Sequence, residues 1–92
     1  MNIRFLETFV WVARLRGFRP AAQRGDATQA AVSQRIAALE SDLGVRLLDR
    51  DRREVQLTRE GTFFLERAES IVQTYGETRR QVSAGKTLKP TV

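Results

Sequence analysis

The feature that most constrains the fold is a short helical pattern, a break and a longer helical pattern in close succession. The first pattern opens at Pro20, the break falls at Gly25-Asp26, and the second pattern extends from Gln29 to Leu43. Apolar residues recur in the second pattern at intervals of four, three and four, at Val32, Ile36, Leu39 and Leu43. Two helices joined by a tight turn form a helix-turn-helix, which we predict from Phe18 to Ala37.

The outward face of the second helix of this motif is small and polar. It carries Ala30, Ser33, Gln34 and Ala37, with no acidic and no large apolar side chain. A face of this kind can approach a flat hydrogen-bonding surface closely, and the edges of bases in the major groove of DNA are such a surface. The motif therefore indicates a protein that reads double-stranded DNA.

The charge of the chain favours an acidic partner. The net charge is +5, and arginine accounts for 14 of the 16 basic residues. The planar guanidinium group of arginine suits phosphate and guanine. Between positions 14 and 35, five arginines face one aspartate, which places a local charge of +4 on the predicted helix-turn-helix. Nucleic acid is the partner that such a distribution favours.

Several functional classes lack the residues that they need. The sequence has no cysteine and no histidine, so it offers no disulfide, no thiolate metal site and no imidazole base. We therefore expect no metal, no cofactor within this segment and no enzymatic activity. The longest apolar run, Phe9 to Ala13, is too short to span a membrane, and no signal segment opens the sequence. We expect no membrane association and a cytoplasmic location.

The periodicity predicts a mainly α-helical fold, a winged helix-turn-helix followed by a long helix. The first helix covers residues 3 to 15 and ends at Arg16-Gly17 through the left-handed geometry that glycine tolerates. The second covers about 20 to 25, and the third covers 29 to 43 with Thr28 as its N-cap. The expected core residues are Phe5, Phe9, Phe18, Leu39 and Leu43.

The residues after Gly44 change from helical to alternating character. Val45 to Leu48 and Val55 to Leu57 flank a charged run, which predicts a small β-hairpin, the wing. The run holds three arginines and three acids, namely Arg50, Arg52 and Arg53 with Asp49, Asp51 and Glu54. The arginines either reach DNA or form a solvated run that the acids neutralise.

A fourth helix is predicted from Arg59 to Ala84, with Thr58 as its cap. It would be about 39 Å long, which is too long for so small a winged body to cover. One face repeats at intervals of four and three like a coiled-coil seam, at Phe64, Ala68, Ile71, Tyr75, Thr78 and Val82. We expect this seam to pair with a second copy of the chain. Of Phe63 and Phe64, one is expected on the winged body and the other on the partner helix.

Four motifs in their joint spacing resemble the DNA-binding domain of the LysR-type transcriptional regulators. They are Ala21-Ala22, Thr28-Gln29-x-Ala31-Val32-Ser33, Ile36-x-x-Leu39-Glu40-x-x-Leu43-Gly44-x-x-Leu47-Leu48-x-Arg50 and Val55-x-Leu57-Thr58-x-x-Gly61. The resemblance covers roughly residues 1 to 85. It implies a winged helix-turn-helix domain at 1–58, a linker helix at 59–85 through which subunits dimerise, and the start of a hinge at 86–92.

The resemblance also implies roles for individual residues. Gln29, Ala30 and Ser33 match the family positions that touch bases. Glutamine can pair with adenine, serine can bond to any base, and alanine can meet the methyl group of thymine. Contacts to phosphate, directly or through the wing, are expected for Thr28, Gln34, Arg35, Arg50, Arg52 and Arg53. The implied operator is an interrupted palindrome that a homodimer binds.

Members of this family continue into a domain that resembles periplasmic binding proteins and that binds a small-molecule effector. The resemblance therefore implies that the present chain is a piece of a longer regulator. It implies further that the full-length protein binds an effector through that second domain and assembles as a homotetramer. The piece itself needs no cofactor on this interpretation.

Four positions depart from the family pattern, two of them at Ala27, where valine is common, and at Ala30, where proline or serine is common. Arg19 stands where the family usually has serine or threonine, which removes a cap of the second helix, and Gly25 stands where it favours leucine. Losing a large buried side chain without repacking costs ~2 to 5 kcal/mol. We therefore expect a neighbour to fill the space beside Gly25, and Trp11 is the obvious bulky candidate.

A second hypothesis treats the winged helix as a scaffold and the fourth helix as the working surface of a protein-interaction adaptor. The two hypotheses differ in salt dependence, because phosphate binding weakens steeply with salt whereas an apolar helix pair hardly responds. An enzyme is a distant third. The pair Glu66/Glu69 lacks an evident pocket or partner base and is expected to be solvated, and Arg4 and Arg14 are expected to be surface residues.

Overall fold

The computed structural model describes residues 1–51 and 54–85. It contains the four α-helices α1 (Ile3–Leu15), α2 (Phe18–Arg24), α3 (Gln29–Leu43) and α4 (Arg59–Ala84). Three of them have the predicted bounds and α2 is shifted, so the mainly helical expectation is confirmed. Within the described ranges, no helix combines the length and the apolar character that crossing a membrane requires.

The winged body is built around α1, which packs against each of the other three helices. The buried apolar core contains Leu6, Phe9, Val12, Ala21, Ala22, Val32, Ile36, Leu39, Leu47, Leu48, Leu65 and Ala68. Of the predicted core residues, Phe9 and Leu39 are buried, whereas Phe5, Phe18 and Leu43 pack partly buried at its edge. The core thus fixes the three helices of the helix-turn-helix region and the start of α4 as one unit.

The junction between α1 and α2 differs from the prediction. Arg16 takes the left-handed conformation with φ 57°, whereas Gly17 is extended with φ 179°. The helix α2 begins at Phe18, so Pro20 is its third residue, where the missing N–H costs nothing because first-turn amides have no acceptor within the helix. No side chain caps α2, as expected, but the cap position is Gly17 and not Arg19.

The predicted β-hairpin of the wing is wrong for the described residues. The two arms meet only in an isolated antiparallel bridge between Leu48 and Leu57, supported by the Asp49 N–H donating to the Gln56 carbonyl at 2.8 Å. A regular strand turns successive side chains to opposite faces. Leu47 and Leu48 are instead both buried, at 0% and 4% exposure, so this segment does not alternate between a buried and a solvent-facing side.

The N-terminal end of α4 lies directly on the wing. The Thr58 hydroxyl accepts the N–H of Gly61 at 2.9 Å and donates to the Arg46 carbonyl at 2.6 Å, which confirms Thr58 as the cap. Gly61 is buried, and a Cβ atom there would clash with the carbonyl oxygen of Leu47. Only glycine therefore permits this close approach of helix and wing.

The first half of α4 packs on the winged body, which revises the predicted seam. Ala68 is fully buried, and the ring centroid of Phe64 lies 5.4 Å from that of Phe9. Ala68 therefore belongs to the core of its own chain and has no exposed surface for a partner, whereas Phe64 packs partly buried against that core. The remaining members of the seam are exposed, namely Ile71, Tyr75, Thr78 and Val82.

The two neighbouring phenylalanines of α4 face different ways, as predicted. Phe64 is the one on the winged body, whereas Phe63 remains 62% exposed. The guanidinium carbon of Arg67 lies 3.9 Å from the centroid of the Phe63 ring, a cation–π contact at the helix surface. Phe63 thus stands on the free side of α4, where a contact with a partner helix stays a prediction.

Candidate nucleic-acid interface

The first turn of α3 presents the predicted base-reading residues to solvent. Gln29 and Ala30, the first two residues of the helix, are exposed. Thr28 is the N-cap, and its Oγ1 accepts the N–H of Ala31 at 3.0 Å, so its predicted capping role is confirmed. The start of a helix carries a partial positive charge that favours anions. This turn therefore combines hydrogen-bonding side chains with a weakly positive helix end.

Ser33 lies one turn further along the same side of α3. It is half-buried, and the neighbouring Gln34 is exposed. The apolar side of the helix is buried, with exposures of 1% for Val32 and 0% for Ile36. The core therefore holds α3 by its apolar side and turns its polar side to solvent, as the spacing predicted.

Arg35 is anchored to α1. Its Nη1 donates to Oγ1 of Thr8 at 3.3 Å, and the Thr8 hydroxyl donates in turn to the carbonyl of Arg4 at 2.9 Å. Thr8 is buried with 1% exposure, and Arg35 is half-buried. Residues two positions apart on a helix do not face the same way, so Arg35 and Ser33 leave α3 on different sides. A phosphate contact of Arg35 stays a prediction.

Arg50 is engaged with α3. Its Nη2 donates to Oε1 of Glu40 at 2.7 Å, and the N–H groups of Leu47 and Leu48 donate to Oε2 at 2.8 and 3.3 Å. Burial alone would raise the pKa of Glu40, but the Leu47 amide, the Arg50 guanidinium and the Leu48 amide together outweigh it and hold that pKa below its ordinary value. The carboxylate is therefore stabilised in its charged form.

Three further arginines of the helix-turn-helix region, Arg16, Arg19 and Arg24, are exposed. Arg16 directly follows α1, and Arg19 and Arg24 lie in α2. These three side chains supply positive charge beside α3. The predicted contacts of Arg52 and Arg53 lie outside the described residues and stay predictions. The interface described here therefore rests on α3 and on the arginines that precede it.

Trp11 fills the space beside Gly25, as predicted. A Cβ atom at Gly25 would lie 2.7 Å from Cζ3 of Trp11, so the indole occupies the place of a larger side chain. The guanidinium carbon of Arg24 lies 5.9 Å from the centroid of the Trp11 ring. Gly25 is the C-cap, so α2 ends one residue earlier than predicted, and Asp26 takes a left-handed φ of 51° before α3 begins.

Arg14 and Glu69 form a two-point ion pair between α1 and α4. The Arg14 Nε donates to Oε2 of Glu69 at 2.6 Å, and the Arg14 Nη2 donates to Oε1. The hydrogen bond from Arg14 holds the pKa of Glu69 below its ordinary value, against the opposing effect of burial. Arg14 is an exposed surface residue, as expected, whereas the expectation that Glu69 is simply solvated is wrong. The side chains are 59% and 33% exposed, which limits what the pair adds to stability.

The sequence did not indicate that Glu40 joins α3 to the segment after Gly44. Two of its three hydrogen-bond donors are backbone amides beyond the turn at Gly44, and no side-chain pattern marks a backbone donor. The available signal was its place in Leu39-Glu40-x-x-Leu43, an acid on the flank of an apolar stripe. Within residues 1–51 and 54–85, no three acidic side chains gather as a metal ion would require.

Comparison with known proteins agrees with this arrangement. One relative is an HTH-type transcriptional regulator in the ibpB-leuC intergenic region of Azotobacter vinelandii, itself uncharacterized, which is 46% identical over 83 residues, or 90% of this chain and 58% of the relative. Another is the HTH-type transcriptional regulator HdfR of Salmonella newport, 41% identical over 90% of this chain. The chain spans only 30% of the length of HdfR.

Among solved structures, the complex of BenM_DBD with catB site 1 DNA superposes with a TM-score of 0.87 and 30% identity. The match covers 97% of this chain and 100% of that one. The family model for bacterial regulatory helix-turn-helix proteins of the lysR family matches residues 3–62, which include the whole helix-turn-helix and the first turn of α4. The chain belongs to the lysR family of bacterial regulatory helix-turn-helix proteins.

Proposed function

We propose that this chain is the sequence-reading module of a transcriptional regulator that binds double-stranded DNA. The observation that carries the proposal is the orientation of α3, whose apolar side is locked into the core while Gln29 and Ala30 stand exposed beside Ser33. The likeness to BenM_DBD, whose structure is titled a complex with DNA, supports the same conclusion.

In this proposal the start of α3 enters the major groove. Gln29, Ala30 and Ser33 meet base edges there, and Thr28 and Gln34 meet the flanking phosphates. The exposed arginines at the end of α1 and along α2 add attraction to the DNA backbone. Arg53, and to a smaller extent Arg52, would reach DNA from the loop of the wing. The protein would act on DNA in the bacterial cytoplasm.

The module works as a homodimer joined through α4. Ile71, Tyr75 and Val82 expose 46%, 43% and 56% of their surface on one face of that helix. An apolar stripe of this kind on a helix that leaves its body is covered most simply by a second copy. By its family, the full-length protein would carry an effector-binding domain and assemble as a homotetramer. Two-fold pairing makes an interrupted palindrome the natural operator.

Selection of bound sites from random duplex DNA tests this function. The proposal expects a symmetric enriched motif with two half-sites and binding that weakens steeply as salt rises. The alternative, a protein-interaction adaptor that works through α4, has the exposed stripe in its favour. That alternative predicts no enriched motif, and association that is nearly insensitive to salt.

A further inference from the structure

One side chain of α3 holds the base of the wing, which we define as residues 47–49 and 56–58. The Glu40 carboxylate accepts the N–H groups of Leu47 and Leu48 at 2.8 and 3.3 Å and the Arg50 Nη2 at 2.7 Å. The Glu40 side chain is 10% exposed, so these donors meet it where water has little access. A largely buried carboxylate that accepts three hydrogen bonds is held in place and holds its three donor groups in place in turn.

The second arm of the wing follows the first. The Thr58 N–H donates to the Leu47 carbonyl at 3.0 Å, and the Asp49 N–H donates to the Gln56 carbonyl at 2.8 Å. Because these bonds join the two arms just behind the loop, the position that Glu40 gives to Leu47 also sets the position of the loop. The Glu40 carboxylate therefore joins α3 to the wing, in addition to the burial of Leu47 and Leu48 in the core.

Arg50 is committed to this arrangement. Its side chain is 37% exposed, and its guanidinium forms an ion pair with Glu40. We propose that Glu40 and Arg50 are positioning residues, which hold the wing at a fixed place relative to the first turn of α3. Arg50 would then act through Glu40 and not through a phosphate, which replaces the role that the sequence predicted for it. This proposal rests on the proposed DNA-reading function.

The test measures binding to the selected operator and to random duplex DNA over a range of salt concentrations. A residue that binds phosphate lowers the slope of log Kd against log salt by about 1 when it is removed. Arg53→Ala serves as the comparison for such a residue, and Glu66→Gln, at a side chain that is 80% exposed, is the matched acid control.

We expect Arg50→Ala to weaken operator binding roughly tenfold without changing the salt slope. Glu40→Gln keeps the size and one acceptor oxygen but loses the charge that holds Arg50, so it should have a similar effect. The double variant Glu40→Gln/Arg50→Ala should be no weaker than Arg50→Ala alone, because both changes break the same contact. Arg50→Lys should recover most of the affinity, because a single nitrogen makes the contact.

A drop of about 1 in the salt slope for Arg50→Ala, or fully additive losses in the double variant, would overturn the proposal. Because Arg50 is partly exposed, Arg50→Ala is expected to fold even if Glu40→Gln does not, and its slope alone then decides. If the unaltered chain shows no salt-dependent DNA binding, the proposed function and this inference fail together. Normal binding by the unaltered chain with a lowered Arg50→Ala slope overturns only the inference.

Discussion

At the scale of single residues, some side chains of the helix-turn-helix region are exposed to solvent, whereas others already form hydrogen bonds within the protein. Gln29 and Ala30 are exposed, whereas Arg35 bonds to Thr8 and Arg50 bonds to Glu40. Base recognition needs donors and acceptors that are not committed elsewhere. The polar side of the first two turns of α3 is therefore where sequence preference should be concentrated.

Truncation of Gln29 or Ser33 to alanine should cost ~1 to 3 kcal/mol of binding on the selected operator and relax the preference at one position per half-site. The reason is the loss of hydrogen bonds to one base pair. Affinity for a panel of single-base operator variants measures this. Gln73→Ala on α4, an exposed glutamine outside the helix-turn-helix, should leave the panel unchanged. Equal losses on random and operator DNA would contradict a base-reading role.

The contact between Trp11 and Gly25 gives a prediction on stability. Gly25→Leu should lower the free energy of unfolding by ~1 to 3 kcal/mol, because its Cβ would already lie 2.7 Å from the indole. The same change should cost clearly less in a Trp11→Ala background, where the space is open. Urea unfolding of the two single variants and the double variant yields the coupling energy. Simple additivity would mean that the indole moves aside freely.

At the scale of elements, the two ends of α3 have different roles. Its first turn is capped by Thr28 and offers polar side chains outward, and the flank of its second half holds the wing through Glu40. Because the helix is rigid between these ends, a change at Glu40 alters where the wing lies relative to the reading turn. The charge of the Glu40 carboxylate contributes to that link, beside the burial of Leu47 and Leu48 in the core.

Acid should therefore weaken the link between α3 and the wing. Because the folded protein lowers the pKa of Glu40, its contribution to stability is complete above the ordinary value of 4.5 and is lost as the pH falls through the lowered value. Glu40→Gln cannot titrate, and at neutral pH we expect it to be less stable by roughly 1 to 3 kcal/mol.

Urea unfolding of the unaltered chain and of Glu40→Gln at a series of pH values from neutral to acid measures this difference. The stability gap between the two should shrink as the pH falls below 4.5. Glu66→Gln, whose side chain is 80% exposed, should show a small gap throughout. A gap for Glu40→Gln that stays constant into acid would show that the charge of the carboxylate is not what holds the wing.

At the scale of the whole molecule, α4 gives the protein its elongated shape of 57 × 25 × 19 Å. Its first half is part of the winged body through Leu65 and Ala68, and Arg14 adds an ion pair to Glu69. Its second half leaves the body with an exposed apolar stripe. Because α4 packs on the winged body at one end and exposes an apolar stripe at the other, it is suited to fix the distance between the two α3 helices of a dimer.

The change Ile71→Glu should dissociate the proposed dimer while leaving each winged body folded. It would bury an unpaired charge in the stripe, although Ile71 is 46% exposed in the single chain and touches little of its own core. Operator affinity should then fall toward that of one half-site. Sedimentation, together with titration onto full and half operators, measures both effects.

Gln73→Glu is the matched control, because it adds the same charge to α4 on a side turned away from Ile71. It should remain dimeric and keep its preference for the full operator. An Ile71→Glu variant that stays dimeric, or a monomer that still prefers the full palindrome, would show that another surface joins the two copies.

The sequence by itself determined the bounds of three helices and the outward-facing side of α3. Apolar spacing and local capping set the bounds of α1, α3 and α4, and the side of α3 opposite Val32 and Ile36 was recognisable as outward. Helix bounds and the apolar side of a helix depend on residues that are close in sequence, so the local sequence predicts them. Even the partner of Gly25 could be predicted, because Trp11 was the only large side chain in surplus.

Only the tertiary structure decided which polar groups already have hydrogen-bond partners within the chain and which apolar groups are already buried. The seam on α4 satisfied the same periodicity at Ala68 as at Val82, yet the winged body covers the first and leaves the second exposed. The sequence predicts a phosphate contact for Arg50, whereas in the fold its guanidinium and the backbone amides of Leu47 and Leu48 all meet Glu40. Contacts of this kind join residues from different elements, and periodicity along one helix carries no information about what lies across from it.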